Sequence, residues 1–197
     1  FLDAVLAARA GRCAEVLPLV ERTAEAGFRS AIFDVSLDPE LFKARCLLER
    51  GDPAAARAAI ARSLDARPGT LDGLALAAAG GDARAKAELF ALHDLLSARF
   101  ALGKALLAFG ESAAALAELD AVLQRLPDAG VVLYERARAL GALGRTREAT
   151  DAYARALEVF PGYAFATRPL DAALAARIDE SPDDPSVLAL LSEHRLR

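Results

Sequence analysis

Apolar and small side chains return at fixed positions along the middle of the chain, in stretches bounded by glycine and proline. Residues 110–127 run from a glycine through an alanine and two large apolar residues to a proline, and residues 144–161 repeat that order 34 positions later. A third copy occupies residues 51–68 with the same internal spacing. Apolar residues three or four positions apart predict amphipathic helices. The pattern therefore predicts helical repeats of about 34 residues.

Each position of this order has a mechanical reason if the unit is a pair of antiparallel helices joined by a tight turn. Gly110 lies between the helices, where a positive φ or a close approach of the chain is needed. Ala115 lets the second helix lie close to the first, and Leu119 and Leu123 fill the groove between neighbouring pairs. Pro127 ends the second helix because it has no backbone N–H to donate. Each unit is thus predicted to be a helical hairpin.

The first helix of each pair adds a further signature. In the stretch FALGKALLAFG, Leu102, Gly103 and Leu106 form a stripe of leucine, small residue and large apolar residue. Through these residues and the glycine-to-proline order, the chain resembles the tetratricopeptide repeat (TPR) family. The next copy keeps the stripe, although Arg136 stands where that family prefers leucine. The resemblance implies an all-α fold, a right-handed α-solenoid in which antiparallel helix pairs stack into a TPR-like superhelix.

The spacing of the copies divides the chain into three regions. The predicted TPR-like array occupies residues 37–163, and it begins with Asp38 as a helix N-cap and Pro39 as the first helical residue. Its copies span residues 37–70, 71–95, 96–129 and 130–163. We predict an N-terminal helical hairpin and connector at residues 1–36. Residues 164–197 are predicted to form C-terminal capping helices.

The copy at residues 71–95 is degenerate. The turn glycines on either side of it are 59 residues apart, where two full repeats would need 68. Gly80, Ala85 and Leu89 keep the offsets of the repeat, but His93 replaces a leucine and no proline follows. We therefore predict a shortened hairpin at this place in the array.

The composition narrows the classes of partner. The 197 residues carry 24 basic and 28 acidic side chains, a net charge of −4, so no overall positive field attracts nucleic acid or an anionic membrane. The apolar runs are far shorter than the roughly 20 residues that span a bilayer, and the start of the chain does not read as a signal peptide. We expect a soluble, cytoplasmic protein that binds no nucleic acid and does not insert into a membrane.

Candidate catalytic and metal-binding residues are few. Cys13 and Cys46 cannot form a disulfide framework or a four-ligand zinc site, and we interpret them as buried free thiols. His93 and His194 belong to no metal or nucleophile motif. The acidic stretch at residues 179–184 lacks the ligand spacing of a calcium loop and suits a solvated turn. We therefore expect no catalytic residue, no metal and no cofactor, and a protein that is not an enzyme.

The resemblance also implies where a partner binds, because TPR-type superhelices hold extended peptides or helices on a concave face lined by first helices. Helix phase places three pairs of residues on that face, each with a large apolar residue one turn before a cation. The pairs are Leu41 with Arg45, Phe100 with Lys104, and Tyr134 with Arg138. Such pairs suit an acidic segment that carries apolar side chains. The alternative is that the cations only solvate the face and pair with glutamates such as Glu49 or Glu135.

The sequence thus predicts a non-catalytic interaction module that binds a protein or peptide segment in its groove. Some TPR proteins hold an acidic chaperone tail with a set of lysine, asparagine and arginine residues, but this chain has no asparagine, so that set is not reproduced. Two other functions remain open at this point. The chain could be a regulatory or substrate-presenting TPR segment of a larger multidomain enzyme, or a scaffold that self-associates into a homo-oligomer.

Overall fold

Helices make up most of the chain that the computed structural model describes, namely residues 38–159 with Cys13, Glu15 and Pro18. This part is all-α, as predicted, and none of its helices is long and apolar enough to cross a membrane. In chain order they are α1 (Pro39–Glu49), α2 (Pro53–Ala66), α3 (Leu71–Ala79), α4 (Ala83–Leu92), α5 (Leu95–Ala108), α6 (Ser112–Leu123), α7 (Gly130–Ala142) and α8 (Thr146–Val159). The predicted capping helices at 164–197, and residues 1–36 apart from those three, lie outside the described residues.

The chain divides into two compact units. The first unit, Phe1–Glu111, contains α1 to α5, and the second unit, Ser112–Arg197, contains α6 to α8. In the first unit α1 packs against α2, and α3 packs against both α4 and α5. The core between them holds large side chains that are almost fully removed from solvent, among them Leu41, Ile60, Leu89 and Leu102. Burying each of these stabilises the unit by about 1.5–3 kcal/mol, so its stability is spread over several helix pairs.

The turns that follow α1, α3, α5 and α7 are built in the same way. After α5, Gly110 has a φ of 80°, a left-handed conformation that residues with a Cβ rarely adopt. The N–H of Glu111 donates to the carbonyl oxygen of Leu106 at 2.9 Å, and the N–H of Gly110 donates to that of Leu107 at 3.1 Å. The turns after α1, α3 and α7 have the same two bonds. These bonds satisfy the last carbonyl groups of the helix that precedes each turn. The glycine that recurs in the sequence is therefore a turn residue.

The hairpin of α3 and α4 is shorter than the others. These helices have 9 and 10 residues, whereas the other described helices have 11 to 14. Ala85 and Leu89 are buried at their expected offsets, but the positive φ of the turn is at Gly81 and not at Gly80. Gly80 is instead required by a close approach, since a Cβ there would lie 3.1 Å from the ring of Phe109. The turn is therefore displaced by one residue while the packing keeps its register.

In the second unit, α7 packs against both α6 and α8. Ala115, Ala137 and Ala149 are completely buried, and the sequence pattern has a small residue at each of these positions. The Nε of Arg136 donates to Oδ1 of Asp120 at 2.6 Å, which ties α7 to α6. Arg136, the departure from the repeat pattern noted in the sequence, thus contacts a charged residue of the neighbouring helix.

We expect Ala149→Leu to destabilise the second unit. Ala149 is fully buried on α8, so a larger side chain there forces its neighbours out of their preferred rotamers. The expected loss in the free energy of unfolding is about 1–3 kcal/mol, measured by urea denaturation followed by circular dichroism. Ala117→Leu on α6 is the matched control because Ala117 is exposed, and it should change stability by less than about 0.5 kcal/mol. Equal stabilities of the two variants would contradict close packing at Ala149.

The two cysteines are not free thiols, contrary to our interpretation of the sequence. Cys13 and Cys46 form a disulfide whose Cα atoms are 5.2 Å apart, and both residues are buried. The bond joins residue 13 to α1 across 33 positions of the chain. Pairing over such a distance depends on how the chain folds back on itself, and cysteine spacing alone does not determine it.

Candidate partner-binding surface

Side chains of α1 and α5 meet a carboxylate of α3 in the first unit. Asp72 lies in the first turn of α3, with Oδ2 at 3.6 Å from Nη2 of Arg45 and Oδ1 at 3.7 Å from Nζ of Lys104. The side chains of Arg45 and Lys104 are 42% and 31% exposed, against 16% for Asp72. The structure thus brings together two of the cations that the sequence singled out.

An aromatic ring lies beside this ion cluster. The Nζ atom of Lys104 is 5.0 Å from the centroid of the Phe100 ring, within the range of a cation–π contact. Phe100 precedes Lys104 by one turn of α5, so both side chains lie on one side of that helix. We call the surface formed by Arg45, Asp72, Phe100 and Lys104 the cation surface.

Sequence reasoning missed Asp72. It belongs to the degenerate copy, which has no pair of an apolar residue and a cation to mark it. The available signal was that Asp72 is the only charged residue of α3, whose sequence is LDGLALAAA. An acidic residue in the first turn of a helix is also explained by the helix dipole, so its type alone does not indicate two cationic neighbours.

Two of the apolar residues that we placed on the concave face are buried instead. Leu41 is 4% exposed and belongs to the core of the first unit, together with Ala44. Tyr134 is also 4% exposed and packs edge-on against Tyr153, with ring centroids 5.6 Å apart. The apolar stripe of a core-facing helix is at least about 100° wide, so a position beside the stripe is buried when its neighbours pack over it. These two side chains therefore have little area to offer a partner.

Arg138 stabilises a buried carboxylate in the second unit. Its Nη1 donates to Oε2 of Glu135 at 2.6 Å, and the Glu135 side chain is only 8% exposed. This is the pairing with a neighbouring glutamate that the sequence left open as the alternative. Removing Arg138, whose side chain is 43% exposed, would leave the buried Glu135 carboxylate without this partner. Arg138 thus has a structural role, and Arg45 and Lys104 are the stronger candidates for contact with a partner.

A cavity of about 430 Å³ lies between α2, α3 and α4 in the first unit. Its apolar walls include Ile60 and Leu74. Arg57, Asp82 and Glu88 supply charges of both signs. Because these charges are mixed, the cavity favours no particular ligand charge.

Other polar residues have structural roles. His93, which the sequence singled out, follows the last residue of α4, and its Nε2 lies 3.1 Å from the carbonyl oxygen of Gly69. At the start of α8, Arg145 donates two hydrogen bonds to Glu148, at 2.7 and 2.6 Å, and these bonds lower the pKa of the Glu148 carboxyl. Both side chains of that pair are well exposed, so the pair contributes little to stability.

Comparison with known proteins gives matches among solved structures alone. No family model and no curated protein matches the chain. A structure named MamA MSR-1 C2 is 19% identical, with a TM-score of 0.38, and the match covers 80% of this chain and 92% of that one. A structure named MamA AMB-1 P212121 is 21% identical, with a TM-score of 0.40, and the match covers 81% and 96%. We therefore base the function on the side chains of the first unit.

Proposed function

We propose that this protein is a non-catalytic TPR-type interaction module and that the cation surface binds an acidic segment of a protein partner. The observation that carries the proposal is the sharing of one carboxylate, Asp72, by Arg45 and Lys104. These three side chains have a net charge of +1. Their separations of 3.6 and 3.7 Å are ionic contacts but exceed the 2.7–3.2 Å of an N–H···O hydrogen bond. Neither contact with Asp72 is therefore a hydrogen bond, and within residues 38–159 the donors of both cations remain for water or for a carboxylate of a partner.

The chemistry of the surface defines the partner. Arginine and lysine form charge-assisted hydrogen bonds with carboxylates, and the ring of Phe100 offers apolar area beside them. A segment with an acidic residue next to an apolar residue fits both features. Since Arg45 and Lys104 are partly exposed, salt screens their attraction, and binding should weaken as ionic strength rises.

The test uses a fluorescein-labelled peptide of glutamate, aspartate and leucine, and a counterpart in which lysine replaces every acidic residue. Fluorescence anisotropy with the full chain should show tighter binding of the acidic peptide. The variant with Arg45→Ala and Lys104→Ala should bind it at least about tenfold more weakly, because one hydrogen bond to a charged group contributes about 1.5–3 kcal/mol. Equal binding of both peptides by the unmodified chain would contradict the proposal.

A control variant separates local recognition from overall charge. Arg84→Ala with Lys86→Ala on α4 removes two cations from exposed positions outside the cation surface. This variant has the same net charge as the first and should bind like the unmodified chain. If both double variants weaken binding equally, the peptide senses net charge and the cation surface is not the site.

A further inference from the structure

A carboxylate lies beside the disulfide of the first unit. Cys46 and Glu49 are three positions apart at the end of α1, which places them on the same side of that helix. Oε2 of Glu49 is 2.8 Å from Sγ of Cys13, and the two sulfurs and the carboxylate oxygen all lie within 4.8 Å of one another. Cys13 and Cys46 are 7% and 2% exposed, whereas Glu49 is exposed. The cluster therefore has a buried sulfur side and one side open to water.

Reduction changes what this cluster can bind. A dithiol transfers two electrons and two protons to the disulfide, which gives two thiols in the protein and a disulfide in the reductant. The two thiols lose their protons when they bind a metal as thiolates. Two thiolates and a carboxylate are ligands that zinc accepts, and a three-ligand protein site keeps its fourth position for water.

The rearrangement that a metal requires is small. Sulfurs at about 2.3 Å from a tetrahedral zinc ion lie about 3.8 Å apart, compared with about 2.05 Å in a disulfide. Side-chain rotation of the cysteines can supply most of this separation without movement of α1. Glu49 lies on the exposed side of the cluster, where an ion can arrive from solvent.

We propose that, in the reduced protein, Cys13, Cys46 and Glu49 form a site for a thiophilic divalent cation such as zinc. Oxidation by a small-molecule disulfide, which takes up the two electrons and leaves as two thiolates, joins the two sulfurs and releases the ion. Residue 13 is joined to α1 in either state, by the sulfur–sulfur bond or through the metal. This inference does not depend on the proposed binding of an acidic segment.

Cobalt(II) is the probe for the first experiment, because thiolate ligands give it a charge-transfer absorption in the near ultraviolet. The full chain is reduced with dithiothreitol, freed of reductant in oxygen-free buffer and titrated with cobalt. We expect one equivalent to produce the thiolate band and zinc to displace it. The oxidised protein should give no band. A reduced protein with two free thiols and no band would overturn the proposal.

Variants separate the three ligands. Cys46→Ser should abolish the thiolate-to-cobalt band of the unmodified chain. Glu49→Gln should keep the sulfur ligands but weaken cobalt binding at least about tenfold. Even residues that only support a ligand contribute about tenfold or more to metal affinity. Glu40→Gln, at the other end of α1, is the control and should bind like the unmodified chain. Unchanged affinity in Glu49→Gln would remove Glu49 from the site.

A second measurement on the unmodified chain avoids the question of whether a cysteine variant folds. Zinc should slow the alkylation of both Cys13 and Cys46 by iodoacetamide in the reduced protein, as followed by mass spectrometry. Equal alkylation rates with zinc and with a chelator would overturn the proposal. Protection of only one cysteine would also contradict a site that uses both sulfurs.

Discussion

Reduction of the Cys13–Cys46 disulfide is expected to lower the free energy of unfolding of the first unit by about 4 kcal/mol. The bond closes a loop across 33 positions, and cross-linking a loop of that length restricts the unfolded chain by about this amount. For a chain of this size the melting temperature should fall by roughly 8–16 °C. Denaturation with and without reductant, in buffer that contains a chelator, measures the change.

The location of the bond makes this prediction specific to one unit. Stability in a repeat array is mostly a sum of local and nearest-neighbour contributions. Hydrogen exchange should therefore become faster in α1 and α2 on reduction, with little change in α7 and α8. A variant with Cys13→Ser and Cys46→Ser is the control, and reductant should not alter its stability. Identical unfolding of the oxidised and reduced chain would show that the bond does not constrain the unfolded state.

Local rules account for the features that the sequence predicted correctly. The turn after α5 requires a positive φ at Gly110, and its hydrogen bonds join residues no more than five positions apart. The start of α1 likewise depends on two adjacent residues, since the Asp38 side chain accepts from the N–H of Glu40 at 2.9 Å and Pro39 is the first helical residue. The residue types within a short window of sequence are sufficient to predict such turns and helix starts. Because these turns and helix starts recur along the chain, the sequence also predicts the all-α class.

Contacts between distant residues could not be predicted in the same way. Asp72 meets Arg45 from 27 positions earlier and Lys104 from 32 positions later. Nothing in the spacing of these charges distinguishes a shared carboxylate from three solvated side chains. The disulfide is a contact of the same kind. Both depend on which helices become neighbours and on how each helix is rotated about its axis.

That rotation also explains the two misplaced apolar residues. One position along a helix turns the side-chain direction by about 100°. A helix phase taken from one copy of the repeat therefore misplaces side chains in another copy when that helix is rotated slightly about its axis. For α1, the phase of the repeat predicted Leu41 on the concave face, but Leu41 is 4% exposed and lies in the core with Ala44. Tyr134 on α7 is buried for a similar reason, because Tyr153 of α8 covers it.

Asp38→Ala is expected to lower the free energy of unfolding by about 2–4 kcal/mol. Asp38 is 4% exposed and caps α1, and its Oδ2 accepts a hydrogen bond from the hydroxyl of Ser63 at 2.6 Å. It also pairs with Arg67 beyond the end of α2. Loss of a helix cap costs about 1 kcal/mol. Because Ser63 is 1% exposed, its hydroxyl would remain buried without this partner, which costs about 1–3 kcal/mol more.

Two comparisons distinguish the buried network from an ordinary cap. Asp52 caps α2 through one exposed hydrogen bond to the N–H of Ala55 at 3.0 Å, so Asp52→Ala should cost only about 1 kcal/mol. Adding Ser63→Ala to Asp38→Ala removes the orphaned hydroxyl, so the double variant should be less destabilised than the sum of its single changes. Urea denaturation of the four variants measures both differences. If Asp38→Ala costs no more than Asp52→Ala, the bond from Ser63 contributes nothing and α1 is held to α2 by apolar packing.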